Sequence, residues 1–149
     1  MSNIEAYWEQ IIYDKKGPIP LPMSHHSAFI YQNKLHCYGG LIGSQSNGDL
    51  WILDLRTSKW EQRKVVAYKK VMKKVPDQKV PGKMVDEEVK VLASCEARDD
   101  HSAAFDEKNG CFYIFGGYVN GDKSNDLWKF DLNTSNWTCL AEGDYQLPI

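Results

Sequence analysis

No stretch of this chain approaches the roughly 18 consecutive apolar residues that a membrane-spanning helix requires, and Met1-Ser2-Asn3-Ile4-Glu5 opens it without a basic segment followed by an apolar one. Neither a membrane span nor a signal peptide is therefore expected. Cysteine is scarce and scattered: Cys37, Cys95, Cys111 and Cys139 include no C-x-x-C pair, which favours reduced thiols in an intracellular protein over a disulfide or zinc framework. Charge of either sign is close to balanced, at -2 overall, so nothing global attracts nucleic acid. The aromatics stand among apolar residues rather than among basic ones, so nucleic acid is not an expected partner. A phosphate-cradling glycine loop and a strained nucleophile turn are both missing. His25-His26, with Cys37 and His101 as conceivable partners, is the best metal candidate, but it has no recognised zinc spacing. Asp99-Asp100 beside His101 could suggest an acid–base pair. No catalytic residue, metal or cofactor is expected.

What the chain does have is a repeat, which outranks other signals because it decides architecture. Cys37-Tyr38-Gly39-Gly40 is followed by Asp49-Leu50-Trp51-Ile52-Leu53-Asp54-Leu55 and Trp60. Ile114-Phe115-Gly116-Gly117, Asp126-Leu127-Trp128-Lys129-Phe130-Asp131-Leu132 and Trp137 follow the same spacing 77 positions later. His26 and His101 are only 75 apart, because the turn 106–110 of the second copy is two residues longer than Gln32-Asn33. Polar–apolar alternation predicts four short strands per copy. The first copy gives strands near 26–31, 34–38, 49–55 and 59–63, with a Gly/Ser/Asn-rich loop over 41–48. Asp100 aligns with His25, so the Asp–His neighbourhood is not itself repeated. Asn133-Thr134-Ser135 and Asn136-Trp137-Thr138 match the glycosylation pattern, yet read as a polar turn before a strand.

The expected organisation is an entry segment over 1–22, a first unit over 23–63, an insert over 64–97, a second unit over 98–142 and the start of a linker over 143–149. Tyr7-Trp8-Glu9-Gln10 resembles the strand around Trp60 and the one around Trp137. From 64 to 90 the insert carries eight lysines and four acids, a local charge of +4 against -6 for the rest. Val65, Tyr68, Met72 and Val75 fall at helical spacing with Lys69, Lys70, Lys73 and Lys74 between them, a short basic amphipathic pattern. The alternatives are a solvated, partly ordered loop, a partner-binding helix and a membrane-surface contact.

These residues resemble the kelch repeat, in which a double glycine ends the second of four strands and a tryptophan stands in the fourth. Gly39, Gly40, Trp51 and Trp60, then Gly116, Gly117, Trp128 and Trp137, carry the resemblance. Arg98-Asp99-Asp100-His101 matches the repeat's opening Arg-x-x-His, whereas Met23 stands at the arginine position of the first copy. The resemblance implies an all-β fold: two four-stranded antiparallel blades of a kelch-type β-propeller, as an incomplete ring. Phe29, Leu35, Tyr38, Trp51, Leu53 and Trp60 are the expected buried set of the first blade. Phe105, Phe112, Ile114, Trp128, Phe130 and Trp137 are that of the second. Each tryptophan ring is expected over its blade's glycine pair. Rings need about four to eight blades, so missing sequence or other chains would supply the rest. The Trp8 segment would complete a final blade.

The expected function is a non-enzymatic protein–protein interaction scaffold, the N-terminal part of a kelch propeller. The expected compartment is the cytoplasm, with the cytoskeleton or a cilium as the candidate structure and an acidic cytoskeletal or axonemal surface as the candidate partner. Long loops at one end of a rigid scaffold are where binding concentrates. Ser44, Asn47, Tyr118 and Asn120 on those loops, with Lys69, Lys70, Lys73 and Lys74 of the insert, are the expected partner contacts. The alternatives are a substrate-recognition module of a ubiquitin ligase and the propeller domain of a metal-dependent enzyme.

Overall fold

A computed structural model describes residues 6–13 and 15–143. The linker expected over 143–149 lies outside the described residues except for Gly143. Residues 6–13 are not paired into a sheet. Every regular element among the described residues is a strand.

The first blade is β1 (Ser27–Tyr31), β2 (Lys34–Tyr38), β5 (Leu50–Asp54) and β6 (Lys59–Arg63), antiparallel in that order. Between β2 and β5, β3 (Leu41–Ile42) and β4 (Gln45–Ser46) make a separate small ribbon. Short polar residues close the turns. Gln32 and Asn33 both take positive φ, 49° and 57°, as a two-residue hairpin turn demands. Asp54 Oδ1 accepts the backbone N–H groups of Arg56 and Thr57, and Asp131 Oδ1 accepts those of Asn133 and Thr134. The repeated Asp-Leu is thus a turn-forming device as well as a strand end.

The second blade, with β9 (Arg98–Asp99) beside it, is β10 (Ser102–Asp106), β11 (Cys111–Val119), β12 (Asp122–Asp131) and β13 (Asn136–Ala141). Here the glycine pair does not end the strand. β11 runs through Gly116 and Gly117 with a shift of register, then turns at Asn120-Gly121 with φ of 52° and 88°. Tyr118 and Asn120, expected on a loop, therefore belong to a hairpin, because Asn-Gly is the dipeptide that a tight turn favours.

The insert is neither a helix nor a loop. β7 (Val66–Pro76) and β8 (Met84–Ala93) form an antiparallel hairpin, and Val66, Ala67 and Tyr68 pair in parallel with Asn136, Trp137 and Thr138 of β13. The valines at 66, 71, 75, 85, 89 and 91 are β-branched and favour the pleated strand over the helix. Val80-Pro81-Gly82-Lys83 closes the tip, with Gly82 at φ 81° and the Lys83 N–H donating to the Val80 carbonyl. Helical spacing of apolar residues was a coincidence of two interleaved strand faces. At about 3.3 Å per residue, the eleven residues of β7 span roughly 35 Å, so most of the hairpin projects past β13.

Each blade has a tryptophan face and an opposite face. The tryptophan face carries Leu35, Cys37, Trp51, Leu53 and Trp60 in blade 1, and Phe112, Ile114, Trp128, Phe130 and Trp137 in blade 2. Phe29 and Tyr38 lie on the opposite face of blade 1, with His36, Leu50 and Ile52. That face packs on blade 2: Phe29 stacks on Phe105 with centroids 4.5 Å apart, and Tyr38 lies 4.8 Å from Trp137. The core is thus centred between the blades, and the expected buried set of blade 1 divides between its two faces. Leu35 and Trp60 are only half-buried.

The tryptophans do not cover the glycines. A Cβ on Gly40 would meet the Ser24 carbonyl at 2.4 Å, and one on Gly117 the Asp99 carbonyl at 2.5 Å, with His26 and His101 alongside. Both glycines also hold φ near +90°, at 91° and 92°. The pair is needed for the close approach of the segment entering each blade, not for a ring stacked above it.

Candidate interaction surface

The loops at one end of the blades are laced together by backbone bonds. The Gly40 N–H donates to the Arg98 carbonyl at 2.8 Å, Arg98 N–H to the Asn47 carbonyl at 3.1 Å, and Asn47 N–H to the Gly40 carbonyl at 2.7 Å. Ser46 Oγ donates to Asp99, and Ser27 Oγ and His101 Nε2 share a bond of 2.8 Å. Asn47 is buried in this lattice, and its side-chain oxygen accepts the Asp49 N–H. It holds the loops in place and cannot serve as the expected surface contact. Ser44, Tyr118 and Asn120 are exposed, and Asn120 Nδ2 donates to Glu96.

Beneath the lattice, Arg98 is 1% exposed and makes a two-pronged contact with Asp126, at 2.6 and 2.9 Å. The same guanidinium donates to the Gly116 carbonyl, and Trp128 Nε1 donates to Asp126. Burial alone would raise the Asp126 carboxyl, but the bonds from Arg98, Ser124 and Trp128 outweigh it and hold the group below the usual carboxylate range. The opening arginine of the second copy therefore locks the glycine strand to the Asp-Leu-Trp strand. Met23 has no such group, and among the described residues no counterpart of this pair ties blade 1. The +77 spacing made Asp126 visible as a repeat residue; its bond to Arg98 was not legible from spacing.

An open cleft of about 330 Å³ lies beside this pair, lined by Lys69, Glu96, Trp128, Cys139 and Glu142 among others. Lys69 Nζ meets Glu142 at 2.8 Å across it. Burial, then Glu142 and Asp126, push the Cys139 thiol up, which leaves it protonated and a poor nucleophile. Cys95 is pushed up to about 12 by burial, and its sulfur bonds with the Tyr38 hydroxyl at 3.3 Å. His36 and His101 are both lowered to about 4, first by burial; Arg63 and Lys34 add to this at His36, and Arg98 and His26 at His101. Asp99 is taken up by Ser46, and Asp100 sits 3.9 Å from His25, so neither is paired with His101. Among the described residues, no three His, Cys, Asp or Glu side chains gather as a metal site would require.

The outer half of the hairpin is charge-matched, whereas Lys70 and Lys90 face each other nearer its base. Lys73 stands opposite Glu87 and Lys74 opposite Asp86, and Lys70 Nζ meets Glu88 at 2.6 Å. The basic patch expected over 69–74 is thus one strand of a ribbon whose other strand is acidic. Met72, Met84 and Leu92 share one of its faces and are 64%, 52% and 73% exposed, and Lys90 lies 4.0 Å over the Tyr68 ring on that same face. Exposed apolar side chains alternating with charged rows on a projecting ribbon have the make-up of a contact surface.

Residues 22–63 and 101–143 each match a Kelch motif. The chain is 23% identical to Kelch domain-containing protein 10 of Homo sapiens over 95% of its own length and 26% of that protein. It is 27% identical to Host cell factor 1 of Homo sapiens over 83% of its length, but over only 6% of that protein. It is 29% identical to Putative protein tag-53 of Caenorhabditis elegans over 42% of its length and 6% of that protein. The chain therefore spans about a quarter or less of these curated relatives.

Proposed function

The chain belongs to the kelch-repeat family, and from that membership we propose that it is a protein-interaction module that works without catalysis. The observation that carries this is the β7–β8 hairpin: a long ribbon anchored on β13 that exposes Met72 and Met84 beside Lys70 and Lys74. The partner contacts are the outer half of this ribbon together with Ser44, Tyr118 and Asn120 at the loop end. The ribbon favours a partner that recognises apolar side chains interspersed with mixed charge over a purely acidic surface. A cytoplasmic site, at the cytoskeleton or a cilium, is the compartment this reading carries forward.

Deleting residues 71–88 removes the outer hairpin while keeping the paired base. The expected result is loss of a specific cross-linked partner with an unchanged melting temperature; an unchanged partner set would reject the ribbon as the contact. A bound metal found in the purified protein would instead favour the enzyme alternative.

A further inference from the structure

The sheet of blade 2 ends on β8, and among the described residues no strand pairs with its outer edge. The backbone directions there follow from the parallel pairing. The Val66 N–H donates to the Ser135 carbonyl, so the even residues of β7 turn toward the β13 side and the odd ones toward β8. Odd residues of β8 stand opposite odd residues of β7, as Val89 does Val71 and Glu87 does Lys73. The even residues Met84, Asp86, Glu88, Lys90 and Leu92 therefore direct their N–H and carbonyl groups outward. Such an edge is ordinarily guarded by lysines, a proline or a bulge. The open edge of β7 has those guards in Lys69, Lys70, Lys73, Lys74 and Pro76. β8 has no proline, an unbroken register over Met84–Ala93 and one lysine, Lys90. Its charge is an acidic run, Asp86-Glu87-Glu88, between Val85 and Val89.

A strand presents its side chains on the two faces of the sheet, so neighbours on either edge meet the same residues. β8 already accepts one neighbour, Val71-Met72-Lys73-Lys74-Val75. Valines lie opposite valines there, and Lys73 and Lys74 lie opposite Glu87 and Asp86. We propose that the outer edge of β8 takes up an extended basic segment of a partner protein as an added strand, with β-branched residues flanking paired Lys or Arg. This names the partner for the ribbon contact and rests on that reading. Backbone bonds to the even residues supply the affinity, and the side-chain pattern supplies the choice. Asp86, Glu87 and Glu88 repel an acidic segment and draw a basic one.

The probe is a fluorescein-labelled, end-capped peptide copied from residues 69–75, titrated into the full chain by fluorescence anisotropy. Saturable one-to-one binding is expected. The same peptide N-methylated at its central residues keeps its charge but loses its donors, and about a tenfold or greater loss of affinity is expected. A peptide with glutamate for every lysine should not bind. Lys90→Pro removes an outward N–H and a cation together, while sparing the ladder to β7. Attraction by charge alone would then strengthen binding, whereas strand addition weakens it by about tenfold or more. Circular dichroism checks that this variant is folded, and the N-methylated peptide decides the matter if it is not. Absence of binding by the plain peptide, equal binding of the N-methylated one, or undiminished binding to folded Lys90→Pro would each overturn the proposal. Self-association of the wild type that Lys90→Pro relieves would overturn it in favour of a second copy. If the peptide fails while deletion of 71–88 still removes the cross-linked partner, strand addition falls and the ribbon contact stands.

Discussion

Blade 1 and blade 2 descend from one pattern, yet they are held together differently. Blade 2 has the Arg98–Asp126 pair, a continuous β11–β12 hairpin beyond its glycines, and β7 on its outer edge. Blade 1 has Met23, a detached β3–β4 ribbon and no added strand. The consequence is visible at the paired tryptophans: Trp137 is 1% exposed, and Trp60 is only half-buried. Equal motifs do not confer equal burial, because burial of a blade face is supplied by whatever lies against it.

The sharpest way to break the difference is Arg98→Met, which gives blade 2 the residue of blade 1. It leaves Asp126 buried without its cation, and a loss of about 3–5 kcal/mol is expected in chemical unfolding. Next come the tryptophans. Trp137→Ala should cost about 3–5 kcal/mol and Trp60→Ala about half of that, as seen in paired melting curves; equal losses would erase the asymmetry. The glycines test what the blades share. Gly40→Val and Gly117→Val should each cost more than about 2–3 kcal/mol, through positive φ and contact with a backbone carbonyl. Gly43→Ala, with nothing within 4 Å but φ at 63°, should cost only the backbone strain, about 1–2 kcal/mol.

Acid should act at the junction between the blades. The folded chain holds His36 and His101 near 4, below the ordinary 6.5, so the unfolded chain takes up protons first. Their contribution is complete above about 6.5 and is lost as the pH falls through the folded values. For the buried His36 alone this is on the order of 3 kcal/mol, and His36→Gln should flatten the profile of melting temperature between those limits. The smallest effect belongs to the hairpin: Lys73→Ser or Lys74→Ser should change stability by less than about 0.5 kcal/mol.

The blades were legible because their signals are local: turn-forming Asp54 and Asp131, alternating strands and a fixed spacing. Which face of each strand meets which neighbour was less so. Phe29 and Phe105 looked equivalent by type, but they are partners across the interface, since Ile30 holds the position that matches Phe105. The insert was misjudged because its apolar residues, divided over both faces of β7, mimic helical spacing, although the valines and the Pro81-Gly82 turn are local hairpin signals; only the three-residue pairing with β13, some seventy positions away, has no local pattern. Asn47 looked like an ordinary loop asparagine; only the third dimension puts it between Gly40 and Arg98.

The parallel pairing of Val66, Ala67 and Tyr68 with β13 also sets how the molecule can be taken apart. The strand that leaves blade 1 is woven into the outer rim of blade 2, so the repeat boundary is not a seam. A protease that nicks the chain at Pro81-Gly82 leaves the two pieces hydrogen-bonded, and they should travel as one particle until denaturant is added. A truncation that begins at Arg98 keeps every residue of the second repeat, yet exposes the β13 edge and strips Ala67 from the core it shares with Trp137. The smallest piece of this protein that can stand by itself is therefore larger than the unit its sequence repeats.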